Sequence, residues 1–406
     1  DGIRRIANTE LSPNLVYRVA KAGAYVLSKH SDHTPTILIG RDTRISGTLI
    51  ESAMVAGFLS YGANVKILGV LPTPGVAYLT KKLKADASVV ISASHNTYEF
   101  NGVKYFSNKG MKIPDELEEE IEEVMDSGKL DDFSAVNEKI GVSEIRTDLL
   151  DEYVYFFRKN FEEDFENLDM SNFVVAIDTA NGATSVVAEK VFSALGIKHY
   201  ILNNTPNGTN INENCGSTHL DVLKKYVVEN NCNLGIAYDG DGDRCLAVDE
   251  KGNEIDGDKL LAIFSNYMKE KGILKNDTLV ATVMSNLGLK KYAEGNNINF
   301  EETKVGDRYV LEKMLEKGYN LGGEQSGHII LLDYNPTGDG ILTSLMLTKI
   351  ILEKNVSASK ICDIIKIYPQ VLVNAKVSSD KKYDFDKDEE IKEEIAKLDK
   401  EFSGNG

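Results

Sequence analysis

Hydrophobic and polar positions along the chain follow two periods, one that suits helices and one that suits strands. Leu15, Val19, Ala22 and Val26 recur at three- and four-residue spacing, which predicts a helix over residues 14–30. Thr36-Ile37-Leu38-Ile39-Gly40 is a short apolar run and predicts a buried strand. A helix over 48–61, a strand at 65–68, a stiff turn at Pro72-Thr73-Pro74 and a strand at 87–92 follow. Residues 115–126 predict an amphipathic helix, with Leu117, Ile121 and Val124 on the inner stripe and the glutamates in water. Such alternation means a mostly parallel sheet with crossover helices.

Residues 127–150 read as a connection, and the alternation then resumes. A second unit, 151–250, offers a strand at 174–178, a turn at Asn181-Gly182, a helix over 183–195 and a strand at 235–238. A third, 251–365, offers a strand at 279–283, a helix over 287–294 and an apolar strand at 329–332. The first unit is thus 1–150, and the three suggest structural repetition without a repeat in the letters. From 366 to 406 something new begins. Residues 371–377 alternate like a strand, and 386–401 predict a charged helix with Ile391, Ile395 and Leu398 facing inwards. One strand and one helix cannot bury a core. The segment therefore reads as the start of a fourth, α+β domain that the chain does not finish. The opening Asp1, with no Met, predicts further residues before it.

Composition narrows the function. The 406 residues suffice for two to four domains, and 42% hydrophobic with 27% charged residues is ordinary for a globular protein. The net charge of -17 disfavours nucleic acid and anionic membrane surfaces as partners, but not a phosphorylated small molecule. Cys215, Cys232, Cys245 and Cys362 have no C-x-x-C spacing and read as reduced thiols of a cytoplasmic protein. No apolar run reaches membrane-spanning length.

The chemistry concentrates in Asp239-Gly240-Asp241-Gly242-Asp243-Arg244. In an extended chain, residues two apart project to the same side, so the three carboxylates converge. The glycines let the backbone curl around the point of convergence. Like charges this close call for a hard divalent cation with oxygen ligands. A solvated acidic turn is the plain alternative, but 233–238 and 245–248 read as buried strands on either side. An EF-hand fits Asp239, Asp241, Asp243 and Glu250, yet it needs Gly where Arg244 stands and helices where the strands are.

Other polar loops follow predicted strands. Arg41-Asp42-Thr43-Arg44-Ile45-Ser46-Gly47 is rich in donors at a strand's C-terminal end, where open α/β sheets bind ligands. Ser92-Ala93-Ser94-His95-Asn96 presents a hydroxyl at the same edge, or is simply a turn. A Ser-His hydrolase is disfavoured, because G-x-S-x-G is absent. Asn101-Gly102-Val103-Lys104 brings an amine nearby, unless Lys104 is an ordinary surface lysine. Lys304-Val305-Gly306-Asp307-Arg308 is one more loop after a short strand. Gly322-Gly323-Glu324-Gln325-Ser326-Gly327-His328 suits a polyhydroxylated ligand, although a polar hairpin would look similar.

Taken together, Ile91-Ser92-Ala93-Ser94-His95-Asn96, the Asp239–Arg244 stretch and Gly323-Glu324-Gln325-Ser326-Gly327-His328 resemble the phosphoserine, metal and sugar loops of the α-D-phosphohexomutases. Asp1-Gly2-Ile3-Arg4 and Gly40-Arg41-Asp42-Thr43-Arg44 match as well. The resemblance implies an α/β fold of three similar domains with mixed, mostly parallel sheets and a fourth domain, around a central cleft. Within the family, Gln325 and the wording of the first unit are most similar to the bacterial branch that interconverts glucosamine 6-phosphate and glucosamine 1-phosphate for UDP-N-acetylglucosamine and the cell wall. Phosphomannomutase or phosphoglucomutase activity, and a non-catalytic phosphosugar-binding protein on the same fold, are the alternatives.

The resemblance also implies roles. Ser94 carries the phosphoryl group. Asp239, Asp241 and Asp243 bind Mg2+ together with a phosphoserine oxygen on Ser94. Arg244 contacts the phosphoserine, Arg4 joins the catalytic set, and Lys104 and His328 are the candidates for moving protons. Glu324 and Ser326 hold sugar hydroxyls, and Gly306, Asp307 and Arg308 complete the substrate site. Glucosamine 1,6-bisphosphate or glucose 1,6-bisphosphate is the implied activator. A second copy of the chain and a kinase acting on Ser94 are candidate partners. The sequence departs from the family at Thr97, usually Pro, and Arg5, usually Gly, where no chemistry is carried. It also holds no R-x-S-G-T-E-like loop of the kind that grips the non-transferring phosphate.

Overall fold

The computed structural model describes residues 2–29, 31–373, 376–378, 384 and 387–402. Its strands form three sheets. The first is built from β1 (Ile3–Ile6), β2 (Thr36–Arg41), β3 (Asn64–Val70), β4 (Ala87–Ile91), β5 (Phe100–Ser107) and β6 (Ser143–Ile145), in the order β1-β5-β4-β2-β3-β6. The second holds β7 (Val174–Asp178), β8 (Lys198–Leu202), β9 (Leu234–Tyr238), β10 (Cys245–Asp249) and β11 (Glu254–Ile255), in the order β11-β10-β9-β7-β8. The third holds β12 (Thr278–Thr282), β13 (Asn299–Thr303), β14 (Leu321–Gly323) and β15 (Ile329–Leu331), in the order β13-β12-β14-β15.

The repetition that the letters hide is explicit in the pairing. In each sheet a parallel set ends on one strand, and an antiparallel strand is added beyond it. Those junctions are β4/β5, β9/β10 and β14/β15. The hairpin across each junction is one of the three motif loops: Ser94 after β4, the aspartates after β9, Glu324 after β14. Every one leaves the C-terminal end of a buried parallel strand, the usual ligand edge of such sheets. β4 and β9 are buried at every position, so their ends are rigid platforms for the loops.

One apolar core runs through all three units. Leu71 and Val76 of the first, Val175 and Ile236 of the second, and Leu279 and Leu345 of the third belong to a single contiguous cluster. The helix Leu150–Glu166 crosses its middle, burying Tyr153, Phe156, Phe157, Phe161 and Phe165 at three- and four-residue spacing. A second cluster lies on the other face of the first sheet, under the helices Pro13–Ser28 and Gly47–Tyr61.

Several expectations are corrected. Pro72-Thr73-Pro74 is not a free-standing turn: it opens the helix Thr73–Lys82, where a proline in the first turn costs no hydrogen bond. Asn101 to Lys104 lie inside β5, the strand just beyond the Ser94 loop. The helix expected over 183–195 is broken at Val187 into a 3-10 turn, Ala183–Val186, and a helix, Ala188–Ala194. Thr43 and Arg44 of the 41–47 loop spend their side-chain donors inside the protein, as described below. The strand expected at 371–377 is absent from its described residues, since no neighbouring strand offers a ladder; Asn374 and Ala375 lie outside the described residues. The helix Glu389–Phe402 forms, but Ile391, Ile395 and Leu398 are exposed, with nothing among the described residues to receive them.

Candidate active site

Ser94 sits at the tip of the loop after β4 with φ of 52°, the left-handed region, which strains a residue with a Cβ. The surroundings enforce it. Arg44, fully buried, donates to the carbonyls of Ser94 at 2.9 Å, Asn96 at 2.8 Å and Phe100 at 3.1 Å, and also reaches Thr97 O. Its Nε is held by Asp42 at 2.8 Å, with both side chains out of solvent. Asn212 donates to the same Ser94 and Asn96 carbonyls, at 2.8 Å each. Asp42 in turn accepts from Ser92 Oγ, and Ser92 Oγ accepts from the Ser94 N–H. Thr43 Oγ1 donates to Asn181 O of the second unit. Asp42 and Arg44 of the donor-rich 41–47 loop thus brace Ser94.

The aspartate loop meets this brace directly. Ser94 Oγ donates to Asp239 Oδ2 at 2.7 Å. A Cβ on Gly240 would stand 2.5 Å from Ser94 O, so only glycine lets the loops approach this closely. Gly242 has φ of 72°, the turn that brings Asp243 back beside Asp241. Among the described residues, ligand oxygens of Asp239, Asp241 and Asp243 lie within 4.8 Å of one another, and all three residues are buried. Burial, and then the charges of Asp243 and Asp241, drive the Asp239 carboxyl well above the usual range. Asp241 Oδ1 and Asp243 Oδ1 are buried with no hydrogen-bond partner among the described residues. Unpartnered carboxylate oxygens facing one point are what a hard cation requires, so the site fits a divalent ion with oxygen ligands.

Side chains from the other two units close around the carboxylates. Thr73 donates its hydroxyl to Asp241 Oδ2 at 2.7 Å and its N–H to Asp241 O at 2.9 Å. Lys104, on β5 and 5% exposed, places Nζ 2.8 Å from Asp241 Oδ2 and 3.9 Å from Asp243 Oδ2, so it is no surface lysine. Burial raises the Asp241 carboxyl and the Asp243 charge adds to that, but Lys104 and Thr73 outweigh both and leave it lowered. Arg244 puts Nη1 3.3 Å from His95 Nδ1, and its Nε lacks a partner among the described residues. His95 was not singled out from the sequence. Burial, Arg244 and Arg4 lower its pKa, which keeps it neutral beside Ser94. Arg4 is exposed and donates to Asn96 Oδ1 at 3.1 Å.

The third unit enters through His328 and the loop of 306–308. His328 is buried, with Nδ1 3.6 Å from Asp243 and Nε2 3.3 Å from Asp307. Burial opposes the imidazolium, while Asp307 and Asp243 favour it and raise the pKa. Yet Gly338 N–H points at Nε2 at 3.0 Å and needs its lone pair, so we place the proton on Nδ1, facing Asp243. Gly306 N–H donates to Glu324 Oε1 at 3.1 Å. Ser326 is exposed at the loop tip, and Gln325 is half-buried near Asp256, 3.5 Å away. Asp307 is held by Lys112 at 2.5 Å; burial would raise its carboxyl, but Lys112 and His328 hold it well below the usual range. Arg308 pairs with Asp115 and, at 2.9 Å, with Glu312. The structure thus brings Ser94, Lys104, Arg244, His328 and the three aspartates into one network, with Glu324 joined through Gly306. Asn212, Thr73 and Lys112 carried no sequence signal, because polar residues in such positions are common.

This architecture, with a hydroxyl on a carboxylate cluster at three converging sheet edges, is that of a phosphoryl-transfer enzyme. The chain matches the family "Phosphoglucomutase/phosphomannomutase, alpha/beta/alpha" in three parts: domain I over residues 1–132, domain II over 151–252 and domain III over 256–368. Phosphoglucosamine mutase of Ruminiclostridium cellulolyticum is 50% identical over 406 residues, covering 100% of this chain and 89% of that protein. The phosphoglucomutase/phosphomannomutase family protein of Burkholderia thailandensis superposes with a TM-score of 0.77 at 21% identity, over 91% of this chain and 79% of that one. N-acetylphosphoglucosamine mutase of Aspergillus fumigatus, solved with GlcNAc-6P and magnesium, gives 0.53 at 16% identity, over 73% and 77%. The chain belongs to the phosphohexomutase family and, within it, to the phosphoglucosamine mutases. It is an isomerase that acts on a phosphorylated sugar.

Proposed function

We propose that the protein interconverts glucosamine 6-phosphate and glucosamine 1-phosphate by passing a phosphoryl group through Ser94. The Ser94 hydroxyl, 2.7 Å from Asp239 in a buried ring of carboxylates, carries this reading. Asp239, Asp241 and Asp243, with an oxygen of phosphorylated Ser94, would hold Mg2+, which when bound supplies positive charge to the phosphoryl oxygens. Arg244 adds a fixed cation on the same side. A kinase, or glucosamine 1,6-bisphosphate or its glucose counterpart, would load Ser94 for the first turnover.

In the forward step the sugar hydroxyl attacks phosphorus. The sugar O–P bond forms and the Ser94 Oγ–P bond breaks. The hydroxyl proton moves to Ser94 Oγ, relayed by Lys104, which keeps N–H groups beyond its bond to Asp241. His328 has both ring nitrogens engaged, and its role is to hold Asp243. The bisphosphate then turns over, and its other phosphoryl group returns to Ser94. Glu324 and Ser326 hold sugar hydroxyls, and Arg4 steadies the serine loop through Asn96. The four cysteines are free and buried, which supports a cytoplasmic setting.

Specificity supplies the test. The 2-amino group of the substrate is partly protonated at neutral pH, so a nearby carboxylate favours it over a hydroxyl by roughly 1.5–3 kcal/mol. With Mg2+ and sugar bisphosphate, glucosamine phosphate is expected to turn over fastest, and glucose and mannose phosphates about ten- to hundredfold more slowly. Glu324→Gln lowers kcat/KM for all, and most for the amino sugar. Equal rates on the three sugars would contradict the assignment.

A further inference from the structure

The first and third units meet at an interface with an unusual charge order. The hairpin that extends β5 contributes Lys112, and the helix that follows it, Asp115–Asp126, contributes Asp115. Opposite them, the helix Asp307–Lys317 opens with Asp307 and Arg308. Lys112 Nζ lies 2.5 Å from Asp307, and Arg308 pairs with Asp115. Positive and negative thus alternate in opposite order on the two sides, so one register satisfies both pairs. The interface is not filled: a cavity of about 150 Å3 opens between Met111, Pro114, Leu311 and Thr337. Two ion pairs cross the interface beside this cavity. The Lys112–Asp307 pair is well shielded, with side chains 13% and 14% exposed, while in the second pair Arg308 is 16% and Asp115 60% exposed.

The position of this contact gives it a use. Lys104 lies on β5, and the hairpin is its rigid continuation: Ser107 N–H bonds Met111 O, and Ile113 N–H bonds Tyr105 O. On the other side Asp307 touches His328, and the preceding Gly306 N–H binds Glu324. A continuous path of covalent and polar contacts therefore runs from Lys104 through Lys112 and Asp307 to Glu324. We propose that Lys112, Asp115, Asp307 and Arg308 form a charge-crossed latch that sets the sugar loop at working distance from Ser94 and Lys104, with Lys112 and Asp115 as positioning residues. This rests on the roles given above to Ser94 and Glu324.

A misplaced acceptor reacts slowly even when it is bound, so the latch acts on kcat more than on KM. Lys112→Met is expected to lower kcat about tenfold with KM within about twofold, and Lys112→Arg to restore most of the loss. Asp115→Arg and Arg308→Asp each break the second ion pair, and the double variant restores it with the charges exchanged. Spin labels on Glu119→Cys and Glu316→Cys, both at exposed helix positions, read the gap between the units without turnover. The distance distribution should broaden in each single variant and narrow again in the charge-swapped one. Unchanged distances in Lys112→Met, or a swapped variant that does not regain the wild-type distance, would overturn the latch. The distance arm is independent of activity, so an inactive wild-type protein would sink the proposed reaction without being mistaken for a failed latch.

Discussion

Asp241 is the residue on which the charge balance of the site turns. It accepts from Lys104 and Thr73 on Oδ2 and leaves Oδ1 with no partner among the described residues. Asp241→Asn keeps the shape and an acceptor for Thr73, but removes one of three converging charges. Turnover is expected to fall by at least about a thousandfold at saturating Mg2+. The melting temperature in EDTA should fall, because buried Lys104 loses the charge of its 2.8 Å partner, an effect only partly offset by weaker repulsion among the carboxylates. Wild-type kcat in this variant would remove the metal assignment. The other residue-scale prediction concerns Asp258, outside the network. It is fully buried, accepts the Asn286 N–H at 2.7 Å on Oδ2, and has no partner for Oδ1 among the described residues. Burial pushes its carboxyl up to about 7. A raised pKa means that the folded form holds a proton the unfolded chain has lost. The contribution is therefore full below about pH 4 and is lost as pH rises to about 7, by up to about 1.4 kcal/mol per unit. Asp258→Asn should be more stable than wild type by a margin that grows across that window and is level above it. Denaturant titrations at pH 5, 6, 7 and 8 measure the margin, and a constant one would contradict the account.

At the scale of elements, the loop after β4 takes most of its carbonyl bonds from one guanidinium, Arg44, and shares two of them with Asn212. Arg44→Met removes the buried charge partner of Asp42 and one donor from each of the Ser94, Asn96, Thr97 and Phe100 carbonyls, at a cost of about 3–5 kcal/mol. Ser94 at positive φ should relax, and activity should fall further than stability alone explains. Crystallography or NMR of the 92–97 loop would show the change; an unaltered loop would mean that Asn212 suffices. The element scale also shows how the sequence could be read and where it misled. Buried strands and the amphipathic helix of 115–126 were legible, because period and apolar content state them directly. The helix Thr73–Lys82 was not, because Pro-x-Pro opens a turn and a helix alike, and only the Thr73 contact to Asp241 shows which one was needed. Thr43 and Arg44 bond backbone carbonyls for a reason the letters do not state: donors aimed at a substrate and donors aimed at a backbone have the same spelling. Residues 371–373 belong to a stretch with a strand-like pattern but do not form a strand, since a pattern predicts a face and not the partner for it.

At the scale of the whole molecule, three sheets repeat one topology and direct their β4/β5, β9/β10 and β14/β15 hairpins to one place. The spacing of Ser94, Asp239 and Glu324 in the sequence gave no measure of that convergence, although the motif wording pointed to it. What fixes it is a shared core, with the aromatic helix Leu150–Glu166 threaded through all three units. Its Tyr153, Phe157, Phe161 and Phe165 spacing was present in the letters, but a helix that joins units has no signature distinct from a helix inside one. The consequence is mechanistic. A carrier on one unit, a cation site on the second and a sugar loop on the third can work together only if their mutual placement is built in.

The central claim is that Ser94 alone carries the phosphoryl group between the two positions of the sugar. Incubating the protein with glucosamine 1,6-bisphosphate and Mg2+, followed by peptide mass mapping, tests it most directly. One added phosphoryl group is expected, on Ser94, and none in Ser94→Ala, which should also lose turnover. A label on Ser92 or His95, or turnover that survives in Ser94→Ala, would contradict it.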